Sequence, residues 1–243
     1  VPQGAAAHVL VEDLSGPVLA LSEDDSRHLS SVLRLRPGEA VAATDGRGGL
    51  VPCVWSAGGR LEVAGPVVVS APRSPRLTVG FVPVKGDRPD WAVQKLTELG
   101  VDRIVLLSSE RSVVRWEGGR AAAHLARLER VARSALMQSR QVWLPEIVGV
   151  VPVPELLAGA GPGVAVADIG GAPLGAGVDT VLVGPEGGWS DAERALSAAT
   201  VGLGSGVLRA ETAAVAAGVL LTAVRAGLVG LVGLRGADGP GDS

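Results

Sequence analysis

From Arg76 onward, short runs rich in β-branched residues alternate with helix-length amphipathic stretches, and this alternation constrains the fold more than any other feature of the chain. The run "RLTVGFVPV" reads as a strand. It leads into "DRPDWAVQKLTELG", a helix with Asp87 near its start, Pro89 in its first turn and Gly100 as its C-terminal stop, and then into a second strand, "VDRIVLL". The pattern continues with a helix near Val153 to Ala158, strands "GVAVAD" and "DTVLVG", a helix "SDAERALSAA", a short strand "TVGLG" and a long apolar helix from about Arg209. This order predicts an α/β domain with a mostly parallel sheet covered on both faces. Ligands of such sheets bind outside the carboxyl ends of the strands.

Up to about residue 70 the period is different. "HVLVEDL", "PVLALSED", "EAVAATDGRGG", "VPCVWSAGG" and "RLEVAGPVVV" are short apolar alternations with Asp-Gly and Gly-Gly turns, interrupted by one helical piece, "SRHLSSVLRL". That spacing predicts a small β-barrel or sandwich. Proline and small residues then concentrate in "GPVVVSAPRSPR", so the boundary falls near residue 72, between a first domain, 1–72, and a second, 73–243.

Three glycine turns follow strands of the second domain. In "LVGPEGGWSDAE", Leu182 to Glu193, a buried strand runs into "GPEGG", and Ser190 with Glu193 forms an S-x-x-E capping box for the next helix. "GLGSG" follows the next short strand, and "DIGGAP", from Asp168, follows "GVAVA". Glycine at such a place lets the main chain take φ > 0 or come close to a ligand. The common nucleotide motifs do not account for these turns. Neither Lys85 nor Lys95 follows a P-loop, and the third glycine position after Gly202 and Gly204 is Val207, so neither an ATPase nor a common dehydrogenase is supported. A G-x-S-x-G hydrolase elbow is missing as well.

Charge is uneven along the chain. Residues 85–140 hold 11 basic and 7 acidic side chains, whereas the whole chain carries a net charge of −3. Between Arg120 and Arg140 a helix places Leu125, Leu128, Ala132, Ala135 and Leu136 on one face and Arg120, Arg127, Arg130 and Arg133 on the other. Arginine's planar fork suits phosphate, although such a face is usually just solvated. One cysteine, Cys53, and three scattered histidines, His8, His28 and His124, give neither a disulfide framework nor metal-ligand spacing. A cytoplasmic protein without a structural metal is expected, and no secretory signal is seen. The apolar run Ala213 to Gly233 has the length of a membrane span, but Arg225 sits past its middle, at roughly 2.5–3.5 kcal/mol against insertion. It is expected to be a helix buried all round, against its own core or a partner subunit.

Five ordered blocks, "KGDRPDWAVQKLTELGV", "SSERSVV", "QSRQVWLPEI", "LVGPEGGWSDAE" and "LGSGVLRAETA", resemble the RsmE family of 16S ribosomal RNA methyltransferases, in the SPOUT class. "RHLSSVLRLRPGEAV" followed by "DGRG" is similar to that family's PUA-like RNA-binding β-barrel. The resemblance covers nearly the whole chain. It implies an α/β knot fold with a deep trefoil knot, a homodimer, and S-adenosylmethionine held in the knot loops. By motif match the cofactor contacts are Asp168, Ile169, Gly184, Glu186, Gly187, Leu203, Gly204, Val207 and Leu208. Two departures stand out. The start "VPQGAAAHVLV" lacks the family's aromatic residues and arginine, and Met137 stands where many relatives have an acid.

The implied reaction methylates N3 of a uridine in 16S RNA of the small subunit. N3 carries a proton, so a base is needed, with a cation on the uracil oxygens. Arg209 is the candidate for anion stabilisation or substrate positioning, and Glu186 or Glu211 for proton acceptor. The structural alternatives are an Arg209–Glu211 ion pair and Glu186 as a loop tether. RNA contacts are expected from Arg27, His28 and Arg34 on the first domain and from Lys85, Arg111 and Arg140 on the second. A packed His28, and Arg111 paired with Glu110 or Glu117, are the alternatives. A non-catalytic RNA-binding or ribosome-assembly protein, or a SPOUT enzyme acting on another RNA position, are the rival functions.

Overall fold

The computed structural model describes residues 4–114, 116, 118–175 and 177–229. The first sheet is built from β1 (Ala7–Leu10), β2 (Val18–Leu19), β3 (Ala40–Thr44), β4 (Gly49–Ser56), β5 (Arg60–Val63) and β6 (Val68–Val69), in the order β1-β3-β4-β5-β2 with β6 paired to β4. β4 shows why these residues make a strand: Val51, Cys53 and Trp55 are buried while Leu50, Pro52 and Val54 are only half-buried, the period of two of a one-sided sheet. The helical piece divides into α1 (Glu23–Arg27), capped by Ser22, and one π-helical turn (His28–Val32) that drops Leu29 into the core.

The second sheet is parallel throughout, in the order β12-β10-β11-β7-β8-β9, with β7 (Thr78–Phe81), β8 (Arg103–Ser108), β9 (Glu146–Pro152), β10 (Val164–Ala172), β11 (Thr180–Val183) and β12 (Thr200–Val201). Between the strands run α2 (Arg88–Leu99), α3 (Gly118–Ser139), α4 (Val153–Ala158) and α5 (Asp191–Leu196), with α6 (Ala210–Arg225) closing the domain. Val79, Phe81, Ile104, Val181 and Val183 share one core with α2, α3 and α6, whereas Val105, Leu107 and Leu182 share another with α4 and Trp189. Covering both faces is what the apolar strands require.

α2 begins and ends where local chemistry predicts, with Asp87 at the N-cap, proline in the first turn and Gly100 in the left-handed conformation at φ +82°. Three elements differ from expectation. β9 is an edge strand that the sequence analysis does not predict. β10 runs on through "DIGG", with a bulge where both Ala167 and Ala172 pair with Val201. α6 is buried along one face rather than all round, leaving Val219 44% exposed. Residues 230–233 of the long apolar run lie outside the described residues, and no described helix is long and apolar enough to cross a membrane.

The two sheets are cross-linked. Arg133 Nη2 of α3 donates to Leu10 O and Asp25 Oδ2, both at 2.6 Å, and Arg140 Nη2 donates to Ala5 O at 2.8 Å. His8 Nε2 lies 3.1 Å from Gln141 O. Gly48, at φ +97°, lies flat against the Trp143 indole: a Cβ there would stand 2.4 Å from the ring, so this turn admits only glycine. Arg127 pairs with Asp90 at 2.6 Å. The arginine face of α3 is therefore not simply solvated, because two of its members have protein partners.

Candidate active site

The carboxyl ends of β10, β11 and β12 open into one cleft of about 180 Å³. Its walls are the glycine-bearing second half of β10, where the expected turn is strand, and the glycine turns after the next two strands. Within β10 lie Asp168 and Ile169; after β11, Gly184 and Glu186; after β12, Leu203, Gly204, Val207 and Leu208. Eight of the nine cofactor positions expected from the sequence thus meet at one place, although they are spread over some forty residues of chain. The ninth, Gly187, belongs to the same turn but not to the cleft wall, and its carbonyl instead accepts from Arg111 Nη1 at 3.1 Å. Ile169 and Val207 leave an apolar rim, 73% and 85% exposed.

Two more residues of the lining tie the walls together. Trp189, buried, donates from Nε1 to Ala167 O at 2.9 Å, and Arg194 forms an ion pair with Asp168. The expected capping box is present: Ser190 Oγ accepts from Glu193 N, and Glu193 Oε2 accepts from Ser190 N at 2.9 Å. Glu193 is 1% exposed and reaches further, accepting from Ser109 Oγ at 3.0 Å and from Glu110 N at 3.1 Å. One carboxylate therefore joins the loop after β8 to the start of α5. Trp189 and Arg194 carry no motif of their own, and sequence reasoning missed them.

Of the three residues considered for chemistry, Glu186 lies in the cleft wall, and Arg209 and Glu211 flank it. Arg209 is the exposed N-cap residue of α6 and makes no side-chain capping bond. Glu211 is buried in the first turn of that helix, with Oε2 unpartnered. Neither carboxylate is paired with Arg209. Both face Arg88, the first residue of α2: its Nη1 is 3.4 Å from Glu186 Oε1 and its Nε 3.7 Å from Glu211 Oε1. The expected alternative of an Arg209–Glu211 pair is thus replaced by a bridge from α2. Sequence reasoning quoted Arg88 inside "KGDRPDWAVQ" without giving it a role.

The RNA-contact candidates divide. Arg27, His28 and Arg34 are exposed on the first domain, so His28 is not a packed histidine, and Arg27 makes only a surface pair with Asp24 at 3.0 Å. Lys85 is exposed on the connection between β7 and α2, at the sheet edge that carries the cleft. Arg111 is exposed but tied to Gly187 O rather than to Glu110, and Glu117 lies outside the described residues. Arg140 is occupied in holding Ala5. Among the described residues no group of three or more His, Cys, Asp or Glu is placed to hold a metal ion.

The chain with this cleft at the carboxyl edge of its parallel sheet, beside a small β domain, is an RNA methyltransferase by family match: residues 72–222 match the family described as an RNA methyltransferase domain, and residues 21–61 the RNA methyltransferase PUA domain. Over 226 residues the chain is 34% identical to ribosomal RNA small subunit methyltransferase E of Mycobacterium bovis, covering 84% of this chain and 85% of that protein. The Bacillus subtilis protein of the same name is 25% identical over 222 residues, covering 81% and 86%. The crystal structure of ribosomal RNA small subunit methyltransferase E from Neisseria gonorrhoeae bound to S-adenosyl methionine superposes with a TM-score of 0.78 at 28% identity, covering 90% of this chain and 97% of that one. The chain belongs to the ribosomal RNA small subunit methyltransferase E (RsmE) family.

Proposed function

We propose that the protein transfers a methyl group from S-adenosylmethionine to N3 of a uridine in the 16S RNA of the small ribosomal subunit. The observation that carries this reading is the meeting of the glycine-bearing end of β10 with the glycine turns after β11 and β12 around one cleft. The residues present fit the cofactor. Leu203, Val207, Leu208 and Ala213 offer apolar wall to an adenine, and the turns offer main-chain N–H and C=O groups for its edges. At Gly204, where φ is +150°, a Cβ would meet no protein atom within 4 Å, so the space it would take is the cleft itself.

When bound, the sulfonium supplies the methyl group. The chain's own residues do the rest. A carboxylate, Glu186 or Glu211, takes the N3 proton as the new N–C bond forms. Arg209, exposed at the head of α6, sets its guanidinium against the uracil oxygen on which negative charge develops. Lys85 and Arg111 hold the RNA backbone near the cleft, and Arg27, His28 and Arg34 hold it on the first domain. The uridine enters unpaired, because pairing hides N3.

In the same reading the first sheet is a PUA-like β-barrel, the domain boundary lies near residue 72, and the second domain is a SPOUT-type α/β knot. The knot is supported by the path of the chain, which leaves edge strand β12 through the third cleft turn and doubles back to lay α6 on β7 and β11. A homodimer is supported by the half-exposed apolar side of α6 and the apolar rim of the cleft. The single buried cysteine suits the cytoplasm, where ribosomes are made.

The test is incubation of isolated small subunits, and of naked 16S RNA, with enzyme and labelled cofactor, followed by mass mapping of nucleosides. One 3-methyluridine is expected. Cofactor binding with label on another atom would move the target, and absence of cofactor affinity would favour a non-catalytic RNA-binding protein.

A further inference from the structure

We propose that Arg88 is a positioning residue that sets the separation between two walls of the cleft; this rests on the methyl-transfer reading above. Its side chain meets two carboxylates that are distant in sequence and belong to different walls. Glu186 sits in the turn after β11, and Glu211 sits in the first turn of α6, directly after the turn that follows β12. The contacts, 3.4 Å from Nη1 and 3.7 Å from Nε, use two edges of one planar guanidinium. The first is a long hydrogen bond and the second an ion pair beyond hydrogen-bond reach, so the guanidinium holds the two carboxylates by its charge as well as by direction.

Two further observations explain why such a bridge matters. The turns it joins, "GPEGG" and "GLGSG", are dominated by glycine and have little stiffness of their own, so their spacing must be imposed from outside. Arg88 is anchored for that task as the first residue of a twelve-residue helix packed into the core through Ala92, Val93 and Leu96. Glu211 depends on it as well. That carboxylate is 8% exposed, its Oε2 has no hydrogen-bond partner, and Arg88 is the cation recorded beside it. Without Arg88, a buried charge is left alone at the head of α6 and is free to draw that turn towards water.

The test uses the full-length protein with Arg88→Gln and Arg88→Lys. Affinity for S-adenosylmethionine is measured by calorimetry without RNA, and kcat and KM for the cofactor are measured separately. Arg88→Gln is expected to weaken binding about tenfold and raise KM in step, with kcat at saturating cofactor changed less than about threefold, as for lost uniform binding. Arg88→Lys should recover part of the affinity. Adding Glu186→Gln to Arg88→Gln should cost less than the two single losses multiplied, since the bridge is already broken. Affinity of Arg88→Gln within about twofold of the parent, or a fall in kcat alone, overturns the proposal. If Arg88→Gln does not fold, Glu186→Gln alone decides: its carboxylate is 61% exposed, and unchanged affinity there also overturns it. A parent protein that binds no S-adenosylmethionine would sink the methyl-transfer reading itself, a result distinct from either.

Discussion

Replacing Glu193 with alanine probes the support behind the cleft. The carboxylate is 1% exposed and accepts three hydrogen bonds, from Ser190 N, Ser109 Oγ and Glu110 N, at 2.9, 3.0 and 3.1 Å. Alanine leaves those donors without their acceptor in a site too closed for water to replace it fully. Each stranded donor costs about 1–3 kcal/mol, the Ser190 N–H being the half of the reciprocal cap that is lost. The hydroxyl can turn to another acceptor, so the sum is about 3–4 kcal/mol rather than the full total. For a domain of this size each kcal/mol lowers Tm by roughly 2–4 °C, which predicts a fall of about 6–16 °C by calorimetry. Glu193→Gln keeps one acceptor oxygen and should lose about half as much. Cofactor affinity should fall in the alanine variant too, because the freed loop carries Arg111, which holds Gly187 O. Urea unfolding that places Glu193→Ala within about 1 kcal/mol of the parent would refute the idea that this carboxylate joins the two loops.

Other expectations concern pH, thiol reactivity and the cleft floor. Burial holds His8 below the ordinary histidine range, outweighing the upward pull of the Gln141 carbonyl, with Arg140 adding to the lowering. The unfolded chain then binds the proton more readily, so His8 contributes its full stability above about pH 7 and loses it as pH falls through about 6.5 towards its folded value. Urea midpoints at several pH values should show that slope in the parent and a flatter one in His8→Gln. Burial pushes the Cys53 thiol up to about 11, so a disulfide reagent at pH 8 should label it only at the rate of unfolding; fast labelling of the native protein would contradict its burial. Gly204→Ala adds a methyl group to the cleft at a φ of +150° and should weaken S-adenosylmethionine at least tenfold by about 1.4 kcal/mol or more, with binding unchanged as the contrary result.

What the sequence made legible is mostly what neighbouring residues decide. The start of α2 is marked by Pro89 in its first turn, with Asp87 at the N-cap position but making no side-chain cap, its end by Gly100, and the start of α5 by Ser190 and Glu193, because these signals act within one turn of chain. The cleft was legible for a related reason: each turn is announced by glycines after a β-branched run, and a parallel sheet brings the carboxyl ends together. β9 was missed although Ile147, Val148, Val150 and Val151 form a β-branched run broken only by Gly149; only Pro152 sets it apart from the helix that follows at Val153. Arg133 is placed on a basic face and Arg140 among the RNA contacts by the sequence, yet their partners lie more than a hundred residues away, where no local pattern reports them. The bridge from Arg88 to Glu186, 98 residues apart, was hidden in the same way.

α3 gives the molecule a fixed gauge. Its 22 residues make a rod of about 33 Å. It starts just beyond the loop that follows β8, at the edge of the sheet where the cleft opens, and its far half is riveted to the small N-terminal domain by Arg133 and, one residue past its end, Arg140. An RNA gripped by that domain would present to the cleft whatever nucleotide its own folded shape carries at the matching span. Choice of target would then depend on the architecture of the ribosomal particle as much as on the identity of bases, and shortening this rod by one turn would test it.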